Sequence, residues 1–370
     1  MRTTSWIEDE GDASGQHASH YAQIHVHEDD HSLTRNVVTP PECLCYNRRA
    51  AEGMQLILVT GATGFLGRHL VERLLAENYP VRVLLSEDKV DHLPWEREPE
   101  IVVGSILDEE TLFRAATGAH VIIHLENAQW WGSPRDLERV ELTGTRSLIT
   151  AARAARVGRI ITLSHLGASP SSAYPLMRYK GLIEDALRTS GLAYTVIRCG
   201  LVFGEDDAFV NHIAMQLAVT PGIYLMPGRG EVVLHPIYID DVIGALVGSL
   251  EAIDTVDNVI EIGGPEYITL EDLIRTVMRV SGINRVIVGV PPYLLRWITR
   301  LYGRVLPRSL ITAQWLDILA TNRTAHLGNV FTTFGIHPKR FEDTLLTYMR
   351  GRHYGRGLLR YSLRRKPRVG

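Results

Sequence analysis

The chain has 370 residues, 45% of them apolar and 22% charged, with a formal net charge of −3. That is enough for one or two folded domains around a large core, and it excludes a collagen-like or wholly disordered chain. Three cysteines, at 43, 45 and 199, are too few for a disulfide framework and point to a reducing compartment, so a cytoplasmic location is expected.

Residues 1–53 carry nine acids and four bases together with His17, His20, His25, His27 and His31, and show no sustained periodicity. Such a composition predicts a disordered acidic extension. Met54 stands just before the first strand, which marks this stretch as an upstream addition. His25 and His27 beside Asp29 and Asp30, or Cys43 with Cys45, complete no ligand set, so no metal is expected. The first residues also lack a basic stretch followed by an apolar one, which argues against a secretory signal. No apolar run along the chain is long enough to span a bilayer.

From Gln55 the pattern alternates. Residues 55–60 (QLILVT) form a short apolar run that ends in a glycine-rich turn, and 67–78 show helical spacing at Leu70, Leu74 and Leu75. Further strands are expected at 81–85, 100–104, 120–125, 159–164 and 193–198, with helices at 108–117, 134–157 and 175–190. Ser133-Pro134 supplies a cap and first-turn residue for the second of these helices. Strands alternating with helices predict an α/β fold, a Rossmann-type doubly wound parallel sheet with helices on both faces. After Gly200 the alternation weakens, and 200–240 read as loop-rich around Pro221-Gly222 and Pro227-Gly228. A helix at 240–252, a strand at 258–262 and helices near 269–281, 291–306, 310–321 and 340–350 then predict a smaller, mainly helical C-terminal lobe. From Thr344 to the end there are eight Lys or Arg and no acid, so 351–370 read as a basic tail.

The strongest motif is Thr60-Gly61-Ala62-Thr63-Gly64-Phe65-Leu66-Gly67, which follows a strand and opens a helix. Gly61 allows the tight turn, Gly64 lets the backbone approach a diphosphate, and Gly67 lets the helix pack against the sheet. The first-turn N–H groups, Phe65 and Leu66 among them, then point at the anion with the helix dipole behind them. Nucleotide binding follows, with the core of that unit expected over 54–200 and its remaining elements and a substrate or partner lobe over 201–350.

The same turn resembles that of the short-chain dehydrogenase/reductase superfamily, in its extended or atypical branches. HLENAQW resembles the loop after strand four that lines the nicotinamide, which implies His124 as a cofactor contact. VELTGTRSLITAAR resembles the following helix, TVIRCGLVFG the strand-six signature, and PGRGEVVLHPIYIDDVIGAL a segment of the substrate lobe. The chain looks like NAD-dependent epimerase/dehydratase-like proteins, most of all the NmrA-like group and the dehydrogenase-like accessory subunit of respiratory complex I. FGIHPKRFEDTLLTYM fits the C-terminal ending of that group. The resemblance implies a nicotinamide dinucleotide and a carbonyl or nucleotide-sugar substrate.

An acid at the end of strand two would hold the ribose hydroxyls of NAD, and a base there the phosphate of NADP. Alignment with the family sets Leu85 at the acid's position and Ser86 at the base's, followed by Glu87, Asp88 and Lys89. Glu87 suits the hydroxyls; Ser86 with Lys89 suits a phosphate; all of them also suit a solvated loop. Gly104-Ser105 stands where the family has Gly-Asp, which removes an adenine contact. Both NAD and NADP therefore fit.

The family's chemistry needs a phenol one helical turn before a lysine, with a hydroxyl to orient the substrate oxygen. Lys180 matches the lysine and Ser164, beside His165, the hydroxyl. Leu176 takes the phenol's place. Tyr174, six residues before Lys180 and just ahead of Pro175, could swing its hydroxyl inward, whereas Tyr179 lies on another side of the helix. Glu141 replaces the asparagine that supports the lysine in the family. Two readings follow: an oxidoreductase or epimerase that uses Lys180, Ser164 and Tyr174, or a non-catalytic nucleotide-bound sensor or subunit of a membrane-associated complex.

Residues 291–310 contain no acid, and Arg296, Arg300, Arg304 and Arg308 recur every four residues between Leu294, Trp297, Ile298, Leu301 and Val305. This is an amphipathic helix with a cationic edge. It serves either as a core helix with snorkelling arginines or, with the basic tail, as a contact for an anionic membrane surface or an acidic protein partner, peripheral at the inner membrane face. The tail lacks interleaved stacking aromatics, so a nucleic-acid partner is not expected.

Overall fold

The computed structural model describes residues 55–91, 93–128, 134–305, 310, 312–355 and 361. Strand β1 (Ile57–Thr60) leads through the glycine turn into helix α1 (Phe65–Ala76). Then come β2 (Val81–Leu85), β3 (Glu100–Val103), α2 (Glu109–Ala116), β4 (Val121–His124), a short turn with a π-helical stretch (Leu137–Thr143), and α3 (Gly144–Ala154). Next are β5 (Arg159–His165), α4 (Pro175–Arg188), β6 (Ala193–Cys199), β7 (Leu201–Phe203), α5 (Val210–Val219), β8 (Ile223–Pro227), β9 (Val233–Leu234), β10 (Pro236–Tyr238) and α6 (Ile239–Glu251). The chain continues through β11 (Asn258–Ile262), β12 (Ile268–Thr269), α7 (Leu270–Ser281), β13 (Val286–Val290), α8 (Pro292–Val305), α9 (Ala313–Ile318), α10 (Asn329–Phe334) and α11 (Phe341–Tyr348).

Seven strands make the main sheet in the order β11-β6-β5-β4-β1-β2-β3, all pairs parallel. β1 is central: Val59 pairs with Val83 on one side and Ile123 on the other. Its four residues are all buried, as are those of β4, because helices cover both faces. One core joins α1 and α6 to the sheet through Leu70, Leu74, Val242 and Leu246; the other joins α2, α3 and α4 through Leu112, Leu148, Leu176 and Leu187. A third core, built on Phe203, Phe209, Leu273, Trp315 and Phe341, belongs to the C-terminal lobe.

The expected strands and helices of the sheet are present, with α6 and β11 supplied from beyond residue 200. Four details differ from expectation, three of them in the lobe. Residues 200–240 are ordered into β7, α5 and three further short strands; α5 is buried nearly all round, so its sequence lacks the polar face by which a helix is recognised. The lobe also contains the pair β8 and β13, whose VIVGV strand sits between a helix and a double proline. The single helix expected over 134–157 is broken by the π-helical stretch, which carries Glu141. Within the described residues, the helix expected at 310–321 extends over Ala313–Ile318. The readings made for residues 1–53, Trp130, Arg308 and most of the basic tail (356–360 and 362–370) lie outside the described residues.

Candidate functional site

The sheet changes winding direction between β1 and β4, so a crevice opens beyond their carboxyl ends. Gly61 turns the chain there with φ +70°. A Cβ on it would lie 2.5 Å from the Leu125 carbonyl carbon and 2.6 Å from the Glu126 nitrogen. A Cβ on Gly67 would lie 2.1 Å from the Gly61 oxygen. The end of β1, the loop after β4 and the start of α1 therefore approach one another with no space for side chains. Gly64 caps α1 without a side-chain acceptor. The first-turn N–H groups that a helix leaves without internal acceptors thus stay open to a ligand. Gly61, Thr63, Gly64, Phe65, Leu66 and Gly67 line a cleft of about 500 Å³. These features fit a dinucleotide diphosphate.

Thr60 is fully buried, and its Oγ1 lies 2.7 Å from His124 Nδ1. The other ring nitrogen of His124 lies 2.9 Å from Thr145 Oγ1, so this histidine ties β1 and β4 to α3. Burial first, and then the Lys180 charge, push His124 down to about 3. Thr60 reaches the cleft through no side-chain atom, and His124 touches an adjoining cavity of about 60 Å³. Ser86 sits at the start of the turn Glu87–Lys89 and outside the cleft lining, whereas Lys89 is in it. Leu85 is buried, and Glu87 and Asp88 face solvent.

Ser164, His165 and Lys180 line the smaller cavity together. Lys180 and Ser164 are already engaged. Lys180 Nζ lies 2.9 Å from Glu141 Oε2, and the two side chains are 10% and 0% exposed. Glu141 Oε1 accepts the Ala128 N–H at 2.9 Å. Ser164 Oγ donates to Glu184 Oε1 at 2.5 Å, and Arg198 holds Glu184 from its other side, with Nη2 2.6 Å from Oε2. The Ser164 hydroxyl hydrogen is thus turned toward a carboxylate. His165, which lines both cavities, is pushed down to about 3 by burial, with the Lys180 and Arg323 charges adding to the effect. It is neutral near pH 7 and a weak proton donor.

Leu176 is fully buried in the core beneath α4. Tyr174 lies at the N-cap of α4 and is half-buried against that same core; it lines neither cavity. The cleft brings in residues that the sequence did not announce. Arg323 is buried, donates to the carbonyls of Leu166 (2.7 Å), Ile318 (2.9 Å) and Asp317 (2.9 Å), and lines the cleft with Ile318. No local pattern marks it, because its Leu166 partner lies 157 residues away. Glu184 was not anticipated either; its place four residues after Lys180 on one helix face is the signal that marks it.

Comparison with known proteins agrees with this geometry. A family model described as NAD(P)H-binding matches residues 61–216, beginning at the turn glycine. The photosystem II assembly factor Ycf39 of Cyanophora paradoxa is 30% identical over 238 residues, 64% of this chain and 71% of the relative. NADH dehydrogenase [ubiquinone] 1 alpha subcomplex subunit 9, mitochondrial, of Rattus norvegicus is 26% identical over 262 residues, 66% of each chain. The chain therefore spans about two thirds of the length of these relatives. Among solved structures, UDP-glucose 4-epimerase of Thermotoga maritima, crystallised with UDP-glucose, superposes with a TM-score of 0.61 at 22% identity, covering 82% of this chain and 99% of its own. That likeness is one of fold.

Proposed function

Since the chain belongs to the NAD(P)H-binding short-chain dehydrogenase/reductase superfamily, we propose that it holds its dinucleotide without that superfamily's standard turnover, as a nucleotide-bound sensor or structural module. The observation that carries this reading is the Lys180–Glu141 ion pair in a cavity that receives no phenol. With Leu176 in the core and Tyr174 outside both cavities, proton transfer to a substrate oxygen lacks its usual donor. Gly61, Thr63, Gly64, Phe65, Leu66 and Gly67 bind the diphosphate. Lys180 contacts the ribose on the side left free by Glu141. A bound nicotinamide would supply hydride chemistry. The relatives named as an assembly factor and as a subunit of NADH dehydrogenase favour the structural role. Such a role needs a docking surface, for which the arginine-edged helix after residue 290 is the candidate.

The cofactor in this reading is NADP. Lys89 lines the cleft beyond β2, while Leu85 is buried and no acid at that strand end enters the lining. A carbonyl or nucleotide-sugar reaction is the second reading, favoured by the convergence of Ser164, His165 and Lys180 on one cavity. The test is to release and identify by mass any nucleotide that copurifies, titrate NADPH and NADH, and follow nicotinamide absorbance with a panel of carbonyls and nucleotide sugars. The reading expects NADPH to bind roughly tenfold tighter than NADH, about 1.4 kcal/mol, with the difference abolished in Lys89→Glu, and no steady hydride transfer. Tighter NADH, or sustained turnover of any substrate in the panel, refutes it.

A further inference from the structure

Over half of the large apolar side chains exposed among the described residues fall in two short segments, 219–225 and 286–297. They are distant in sequence but joined in the fold. β8 and β13 pair in parallel, with Ile223 opposite Val286 and Leu225 opposite Val288. Arg285 Nε donates to the Thr220 carbonyl at 2.6 Å, and Val286 N–H to that of Gly222 at 2.8 Å. The alternation of the pair turns Tyr224 and Met226 into the core. It leaves Ile223, Leu225, Val286 and Val288 standing outward, 50%, 43%, 65% and 39% exposed. Helix α8 follows β13 directly and adds Tyr293 and Trp297, 75% and 62% exposed, while its Leu295 is buried.

The two segments that build this face carry charge of one sign, and the exposed Glu231 stands just beyond the first of them. Neither 208–230 nor 282–316 contains an acid. Arg229 is exposed and has no ion-pair partner among the described residues, and Arg285 is bonded only to backbone carbonyls. Arg296, expected on a cationic edge, pairs with the buried Asp317 at 2.7 Å. Aliphatic side chains in one patch, an exposed tyrosine and tryptophan on the helix that follows it, and arginines on segments without acids are the elements of an interfacial membrane site. A purely acidic protein surface would match the arginines but would leave the β8–β13 aliphatics uncovered, whereas an anionic bilayer supplies both the charge and the apolar medium.

We infer that the outward face of β8 and β13, together with the first turns of α8, docks on the surface of an anionic phospholipid bilayer. The aliphatics and Trp297 enter the headgroup boundary, and Arg229 and Arg285 meet lipid phosphates. Among the described residues no helix is long and apolar enough to cross a membrane, so this contact would be peripheral. The inference does not depend on whether the cleft turns over a substrate.

Flotation of the full chain with vesicles of phosphatidylcholine and phosphatidylglycerol in equal parts, against phosphatidylcholine alone, tests it. Binding is expected on the mixed vesicles, weakened by salt. A Val286→Ser/Trp297→Ser variant should bind roughly tenfold to a hundredfold more weakly, from the apolar area withdrawn, and Arg229→Glu about tenfold more weakly. Both variants should keep the wild-type unfolding midpoint and dinucleotide affinity, since these side chains are outside the core and the cleft. Three outcomes overturn the inference: absence of flotation, equal flotation on neutral vesicles, or wild-type flotation by the Val286→Ser/Trp297→Ser protein, which would move lipid contact to another segment such as the basic tail. A dimer in solution that Trp297→Ser dissociates would instead assign the face to a second copy of the chain.

Discussion

Glu141→Gln separates the charge of the buried pair from its shape. The substituted side chain can still accept the Ala128 N–H that Glu141 accepts at 2.9 Å. What it loses is the negative charge 2.9 Å from Lys180 Nζ, where the two side chains are 0% and 10% exposed. Removing one member of a buried pair leaves the other charge desolvated and uncompensated, at about 3–5 kcal/mol. Replacing both by apolar groups of similar size is close to neutral or stabilising. Glu141→Gln and Lys180→Met should therefore each lower the free energy of unfolding by roughly 3 kcal/mol, and Glu141→Leu/Lys180→Met by much less than the sum. Urea titrations of the wild type and the single and double variants, followed by circular dichroism and intrinsic fluorescence, give the coupling directly. Single-variant costs below about 1 kcal/mol that add in the double variant would mean that Lys180 is solvated and free. The account of an occupied, non-catalytic cavity would then fail.

Gly61→Ala forces a side chain into a left-handed backbone position, at about 1–2 kcal/mol, and drives its Cβ against the Leu125 carbonyl. Isothermal titration should show roughly hundredfold weaker dinucleotide binding, about 2.7 kcal/mol. Tyr174→Phe should leave dinucleotide affinity and any residual turnover unchanged and alter stability by less than about 0.5 kcal/mol, because its ring packs against the core outside both cavities. Loss of an activity in that variant would restore the phenol to catalysis. His124 and His165 are both held down to about 3, mainly by burial. Between the ordinary histidine value of 6.5 and about 3, the unfolded chain binds protons that the folded chain refuses, so stability falls as pH falls through that window. Each histidine steepens the fall by about 1.4 kcal/mol per pH unit. Urea midpoints measured from pH 7 to pH 4 should show His165→Gln with the shallower slope.

Much of this molecule was readable along the chain because the signals are local. Parallel strands buried on both faces appear as near-continuous apolar runs, and QLILVT, VRVLL and RIITLS read that way, interrupted within only by Arg82 and Thr162. The glycine turn was equally plain, since three small residues at fixed offsets after a strand answer to steric demands that hold in any sequence. Lys180 and Leu176 could be set on one helix face by counting four residues. The lobe was harder for the same reason reversed: α5 is buried almost all round, so no polar stripe distinguished it from a broken apolar loop.

Pairings that close over long sequence distances belonged to the fold. Glu141 looked like a lost asparagine until the π-helical turn brought its carboxylate to Lys180. Ser164, expected to orient a substrate oxygen, also donates to Glu184, a contact that forms only when α4 packs on β5. Arg323 had no motif, yet it closes one wall of the cleft through the Leu166 carbonyl. The exposed face of β8 and β13 was invisible because alternation along either strand shows which residues share a face, not whether anything covers it. A local pattern constrains backbone geometry through sterics; which side chains meet, and which charges are left in water, is decided only when distant segments pack.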